Sequence, residues 1–159
     1  MRSKYEVNSV QQMRTYISKE EYLGMYNIVG AAMEVYNVLG RGMEEPIYQE
    51  ALDMEMVERG MIPHREVWLD TFYKGIKLKK QYKADFVVDG VIVELKSVST
   101  FDSEHRAQLC NYMRITKQKR GILMNFGGRK FAAERYLYQE ETDDFVLLRE
   151  ENYRDYIQS

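Results

Sequence analysis

Cysteine is nearly absent: Cys110 stands alone among 159 residues. One thiol cannot form an intramolecular disulfide or a cysteine-based zinc cluster. No charge of one sign dominates either. The 23 basic and 25 acidic side chains leave a net charge of −2 and a pI near 5.8. A global basic field is excluded, so any nucleic-acid role has to rest on a local patch. Long hydrophobic runs are missing too. The longest apolar stretch, Tyr22 to Leu39, is interrupted by Asn27, Glu34 and Asn37, which does not read as a membrane span. The opening residues lack the basic, apolar, small-residue succession of a signal peptide. Internal repeats and low-complexity segments are also lacking. These absences set the expectation of a reducing, cytoplasmic location and no membrane partner.

What is present is a globular balance, with 45% hydrophobic and 30% charged residues. Such a composition folds rather than staying disordered. The length suits one domain with a sizeable core.

The most informative stretch runs from Tyr82 to Ser97. Asp89-Gly90 lies between two β-branched apolar runs, the strongest short signal for a two-residue hairpin, because its residues accept the positive φ of a type I′ turn. A two-residue loop sets Val88 opposite Val91, Val87 opposite Ile92, and Phe86 opposite Val93. It then sets Asp85 opposite Glu94, with Cβ atoms roughly 4.5–5.5 Å apart, where like charges destabilise. Lys96, two residues past Glu94, shares its face. Apolar residues on both hairpin faces imply a sheet covered on both sides. Two readings of the acid pair follow. Either the hairpin end is exposed and Lys96 forms ordinary salt bridges, or the end is buried and a divalent cation compensates the carboxylates.

The remaining order is helix, helix, strands, helix, strands. Ser18 and Glu21 form a capping box that starts the first helix. Leu23, Tyr26, Val29, Ala32, Met33 and Tyr36 supply its stripe, and Gly40 ends it. A second helix follows with Pro46 in its first turn, a stripe of Ile47, Tyr48, Ala51, Leu52 and Met56, and a stop at Gly60. Val67 to Tyr73 reads as a strand, Lys74-Gly75 as a turn, and Ile76 to Lys83 as the approach to the hairpin. Five lysines lie between Lys74 and Lys83. They read either as a solvated edge that discourages aggregation or as phosphate contacts. A helix from about Ser99–Ser103 to Lys117 precedes strands at 121–126 and 129–138, and its presence permits a crossover connection. The tail after Tyr138 is undecided between strand and helix.

Gly42 to Tyr48 contains Gly-x-x-Glu-x-x-Tyr and continues as Gln49-Glu50-Ala51-Leu52. Together with Gly30-Ala31-Ala32, Glu34-Val35, Tyr82-Lys83-Ala84-Asp85, Val93-Glu94-Leu95-Lys96 and Ala107-Gln108-Leu109, this resembles the GxxExxY protein family, a branch of the PD-(D/E)XK nuclease superfamily. Gln108-x-x-x-Tyr112 also resembles the helix motif that follows the Glu-x-Lys strand in RecB-type nucleases. The likeness covers about residues 20–138 of a single 1–159 domain, leaving an N-terminal extension at 1–17 and a tail at 139–159. It implies an α/β, restriction-endonuclease-like fold, a mixed central sheet flanked by helices. It also implies Mg2+- or Mn2+-dependent hydrolysis of nucleic acid, DNA in the first place, with a homodimer left open. The alternative is a non-catalytic nucleic-acid-binding or protein-interaction module on the same fold.

The resemblance implies a metal site of Asp85, Glu94 and the Leu95 carbonyl. Its catalytic set is Asp85, Glu94, Lys96, Glu45 and Gln108, with Lys96 positioning water. Its substrate side is Tyr112, His105, Lys83 and Tyr48. Each has a plainer reading beside it. Glu45 can serve only the dipole at a helix N-terminus. Gln108 and Tyr112 can be a satisfied polar residue and a core residue. His105, near a helix start, can be structural, and Tyr48, one turn from Glu45, can simply pack.

Overall fold

The computed structural model describes residues 14–158. The expected extension at 1–17 therefore lies mostly outside the described residues. Its last residue, Ile17, is buried and opens strand β1 (Ile17–Ser18).

Helix α1 (Lys19–Leu39) starts at the expected capping box. The Ser18 hydroxyl accepts from the Glu21 N–H and the Glu21 carboxylate accepts from the Ser18 N–H, both at 3.0 Å. Its buried stripe is Tyr22, Met25, Ile28, Ala31, Ala32 and Val35. The expected stripe holds in part: Ala32 is buried and Val29 and Tyr36 pack against the core, while Leu23, Tyr26 and Met33 are exposed. This helix is apolar most of the way round, so two stripes satisfy the same period and only packing selects one. Helix α2 (Glu45–Glu58) buries Tyr48, Leu52 and Met56 against the sheet, with Pro46 in its first turn.

The central sheet has the order β2 (Pro63–Tyr73), β3 (Ile76–Val88), β4 (Val91–Lys96), β5 (Arg120–Asn125), β6 (Ala132–Gln139) and β7 (Asp144–Leu148). Only β4 and β5 run parallel, and α3 (Ser103–Thr116) makes the crossover that parallel neighbours require. The architecture is α/β, a mixed and mostly antiparallel sheet flanked by helices.

Helices α1 and α2 cover one face through Met25, Ile28, Tyr48 and Leu52, meeting Phe86, Val93 and Leu95. Helix α3 covers the other through Leu109 and Met113, meeting Ile92, Leu123 and Tyr136. Strands β4 and β5 are thus buried on both sides, which is why they read as continuous apolar runs.

The tail is strand, not helix. β7 pairs antiparallel with β6, and a short 3-10 turn (Tyr153–Tyr156) leads to β8 (Ile157–Gln158), which pairs parallel with β1. Tyr153 stacks on Tyr22 with ring centroids 4.5 Å apart. Residues 139–158 are therefore built into the sheet and against α1. No helix among the described residues is long and apolar enough to cross a membrane.

Candidate functional site

Asp89 and Gly90 both take positive φ, 48° and 76°, as the two-residue turn demands. The register follows from it: Val88↔Val91, Val87↔Ile92 and Phe86↔Val93. At the next level the backbone ladder stops. The Asp85 N–H donates to Glu94 Oε1 at 3.2 Å, and the Leu95 N–H donates to Asp85 Oδ2 at 2.8 Å. Each carboxylate takes a backbone donor of the facing strand, so the strands part where the acids meet.

Strand β3 also turns over at this point. Ala84 packs in the α3-side core and Phe86 in the opposite core, although residues two apart in a regular strand share a face. Across from it, Glu66 has a φ of 50° and falls unpaired between Arg65↔Phe86 and Val67↔Ala84. The ribbon is distorted in both strands at the level of Asp85. The Asp85 carbonyl accepts from Gln49 Nε2 on α2 at 3.1 Å.

Glu94 is only 6% exposed. Burial first, and then the charge of Asp85, push its carboxyl up to about 8, against the pull of the Asp85 N–H and Lys96. Glu94 therefore holds a proton at neutral pH. Glu45, at the start of α2, has its carboxyl raised by burial and by Asp85, while Lys96 and His105 pull it down. Groups from β3, β4, α2 and α3 therefore act on one another electrostatically.

Lys96 Nζ donates to Gln108 Oε1 at 3.1 Å, and Gln108 Nε2 donates to the Tyr112 hydroxyl at 3.0 Å. The i, i+4 pair on α3 thus faces the end of β4. Tyr112 in turn stacks on Tyr82 at 4.3 Å, and burial raises its phenol.

Other expected residues lie differently. His105 closes a capping box: its N–H donates to Asp102 Oδ1 at 2.9 Å, and its Nδ1 accepts from the Asp102 N–H at 3.2 Å. Tyr48 is fully buried and stacked on Phe126. Its hydroxyl donates to the Gly40 carbonyl at 2.6 Å and accepts from the Met43 N–H at 3.2 Å. It has no free surface or hydrogen-bonding edge for a substrate, and it holds the loop that presents Glu45. Lys83 is exposed, and its ammonium lies over the Trp68 ring at 5.4 Å. Leu95 has its side chain in the core and acts through its backbone.

Sequence reasoning missed three supports. Gln49, which holds Asp85, lies inside the GxxExxY continuation. Tyr82, which stacks on Tyr112, opens the hairpin stretch. Asn125 gave no local signal: its buried amide accepts from the Val98 and Gly127 N–H groups, both at 3.0 Å, and donates to the Val98 carbonyl at 2.8 Å. It thereby shapes the segment after Lys96. Beside that segment a cavity of about 500 Å³ is lined by Glu45, Pro46, Ser97, Val98 and Gly127.

The donor chemistry fits a hard divalent cation. Asp85, Glu94 and Glu45 offer oxygen only, against one lysine. Among the described residues, no group of three or more acidic, histidine or cysteine side chains is placed to hold a metal ion. Mg2+ does not need one, because it keeps several waters and binds through one or two carboxylates plus substrate phosphates.

Residues 23–136 match a family model described as the PD-(D/E)XK nuclease superfamily. No curated protein matches the chain. The solved structure titled "Crystal structure of SSO0001" is 18% identical with a TM-score of 0.45, over 57% of this chain and 48% of that one. The match thus spans about half that chain's length.

Proposed function

The chain belongs to the PD-(D/E)XK nuclease superfamily, and on that premise we propose that it hydrolyses phosphodiester bonds of nucleic acid, DNA before RNA, as a single-domain enzyme of the GxxExxY branch dependent on Mg2+ or Mn2+. The observation that carries this reading is Glu94. It is a buried carboxyl set against Asp85, and the pull of Lys96 does not offset burial and the Asp85 charge, so its pKa is pushed up to about 8.

Asp85, Glu94 and the Leu95 carbonyl are the groups to hold the cation. When bound, the cation lowers the pKa of a coordinated water and stabilises charge developing on the phosphate oxygens. The residues supply the rest. Glu94 gives up its proton on loading, because a ligating carboxyl must be ionised. Gln108 holds the Lys96 ammonium in place through its carbonyl oxygen. Lys96 orients the attacking water and offsets phosphate charge. The water oxygen bonds to phosphorus, the bond to the leaving ester oxygen breaks, and that oxygen takes up a proton. Glu45 adds negative charge from the helix start. Tyr112 and His105 border the substrate path, and Tyr48 serves through the Gly40–Met43 loop.

The non-catalytic alternative rests on one observation, that among the described residues no group of three or more acidic, histidine or cysteine side chains is placed to hold a metal ion. Incubating the full chain with single- and double-stranded DNA in Mg2+, Mn2+ or EDTA decides between the two. Metal-dependent cleavage is expected, falling roughly 10²–10⁴-fold in Lys96→Ala, the range typical of a positioned proton-handling group. No cleavage of either substrate with either metal rejects the enzyme reading.

A further inference from the structure

The β2–β3 ribbon carries a surface that the cleavage site does not use. Residues 67–84 hold five lysines and one aspartate, a formal charge of +4, which leaves −6 on the remainder of the chain. The basic patch that the overall composition lacks is concentrated here. Interleaved with the lysines are Trp68, Phe72, Tyr73, Ile76 and Leu78, between 38 and 68% exposed. A solvated edge needs the lysines, but it does not need large apolar side chains held in water beside them.

The register organises these residues. Tyr73 pairs with Ile76, and alternation puts Leu78, Lys80 and Tyr82 on the Ile76 face. Lys80 Nζ lies 6.0 Å from the Tyr82 ring centroid, and Tyr82 stacks on Tyr112. The Tyr112 hydroxyl accepts from Gln108, whose carbonyl accepts from Lys96. A run of aromatic, apolar and cationic groups therefore leads from the ribbon tip to Lys96, across one register shift between the Phe72↔Lys77 and Asp70↔Gln81 pairs. On the reverse face Lys83 sits over Trp68.

We propose that this ribbon is a binding track for single-stranded nucleic acid, which it delivers to the Lys96 end of the sheet. The proposal rests on the nuclease reading for its destination. Its chemistry stands separately. Exposed aromatic faces stack unpaired bases while lysines follow the backbone phosphates. A duplex hides its base faces and engages the lysines alone. A second copy of this chain is disfavoured as occupant, because two ribbons of +4 repel.

Fluorescence anisotropy of the full chain with a labelled oligothymidine, and with a duplex of equal length, tests the track in EDTA, where no cleavage occurs. The wild type is expected to bind the single strand roughly tenfold tighter than the duplex. Tyr73→Ala should weaken single-strand binding roughly 5- to 100-fold and leave duplex binding nearly unchanged. Lys74→Gln/Lys80→Gln, which removes the cations beside Tyr73 and Tyr82, should weaken both and reduce the single-strand salt slope by about 1.4. All three positions are exposed, so melting curves should match the wild type. Equal affinity for both nucleic acids, or wild-type binding by both variants, overturns the proposal. So does a wild-type dimer in sedimentation that the ribbon variants convert to monomer. Binding as described without any cleavage refutes the enzyme reading alone, and cleavage with ribbon-independent binding refutes the track alone.

Discussion

The two ends of the β3–β4 hairpin each bury a charge-bearing group to the same depth, and they treat it in opposite ways. At the turn, Arg120 is 7% exposed. Its guanidinium donates to the Asp89 carbonyl at 2.5 Å and to the Glu21 carbonyl at 3.2 Å, and lies 3.4 Å from the Glu21 carboxylate. Burial raises the Glu21 carboxyl, but the Ser18 N–H, Lys119 and Arg120 outweigh it and hold it below the usual range. At the other end, Glu94 is 6% exposed and faces a second acid. One buried charge is fully answered by its neighbours and closes the turn. The other faces a second acid and is answered by a proton instead of a cation at neutral pH, and a carboxyl shifted in this way is a candidate for function.

The sharpest way to break the contrast is Glu94→Gln. Glutamine mimics the protonated acid: its amide can donate to Asp85 while its oxygen accepts the Asp85 N–H. Cleavage should fall roughly 10²–10⁴-fold. Stability should change with pH in a defined way. Glu94 has a folded pKa of about 8 against an ordinary 4.5, so between these values the native state holds a proton that the unfolded chain has lost. Metal-free wild type should therefore lose stability as pH rises through that window, by roughly 1.4 kcal/mol per pH unit at most, and level off above it. The variant should equal the wild type near the lower bound and exceed it near the upper one. Denaturant melts of both proteins in EDTA give the difference curve, and a flat difference across the window removes Glu94 as an uncompensated acid.

Arg120→Ala tests the answered end. Two carbonyls and Glu21 lose their cation together, and breaking a buried, hydrogen-bonded charge costs about 2–4 kcal/mol. The melting temperature should drop without any change in its response to Mn2+, because the damage lies at the far end of the hairpin. An altered metal response in this variant would show that the two ends are coupled.

The hairpin was legible because Asp89-Gly90 and the β-branched flanks are local signals that agree with the tertiary outcome. The starts of α1 and α2 were legible through Ser18, Glu21 and Pro46 for the same reason. Where the structure departed, the deciding force was non-local. Glu66 adopts a left-handed φ that its residue type does not favour, and only the sheet around Asp85 imposes it. The turnover of β3, which sends Ala84 and Phe86 to opposite cores, was therefore invisible. The stripe on α1 was ambiguous because its apolar residues outnumber one face. The tail was unreadable because β7 draws its stability from β6 rather than from its own pattern. At the site, Asp85, Glu94 and Lys96 were readable from register, and Gln108 and Tyr112 from helical spacing. The partners of Tyr48 and Lys83 were not readable, because the Gly40 carbonyl and Met43 N–H that engage the Tyr48 hydroxyl lie in a loop and Trp68, under Lys83, is on the neighbouring strand.

The smallest effect isolates the acid pair from the fold. Asp85→Asn preserves size and keeps an oxygen to accept the Leu95 N–H, now at 2.8 Å from Asp85 Oδ2. It removes only the charge that opposes Glu94. Metal-free stability should hold or rise by roughly 0.2–1 kcal/mol, the scale of a facing pair on adjacent strands. Wild-type protein should gain melting temperature on addition of Mn2+, since a ligand bound only by the native state stabilises it by mass action. In the variant that gain should shrink or vanish. The competing account makes Asp85 an ordinary partner of Lys96, and it expects the reverse: a loss on mutation and no metal response in either protein. The structure bears on that account directly, because among the described residues no ion pair joins Asp85 to Lys96: Lys96 Nζ donates to Gln108 and the Asp85 carboxylate accepts from the Leu95 N–H. Thermal melts of both proteins in EDTA and in Mn2+ separate the two accounts. A destabilised variant with an undiminished metal response would end the case for Asp85 as a metal ligand.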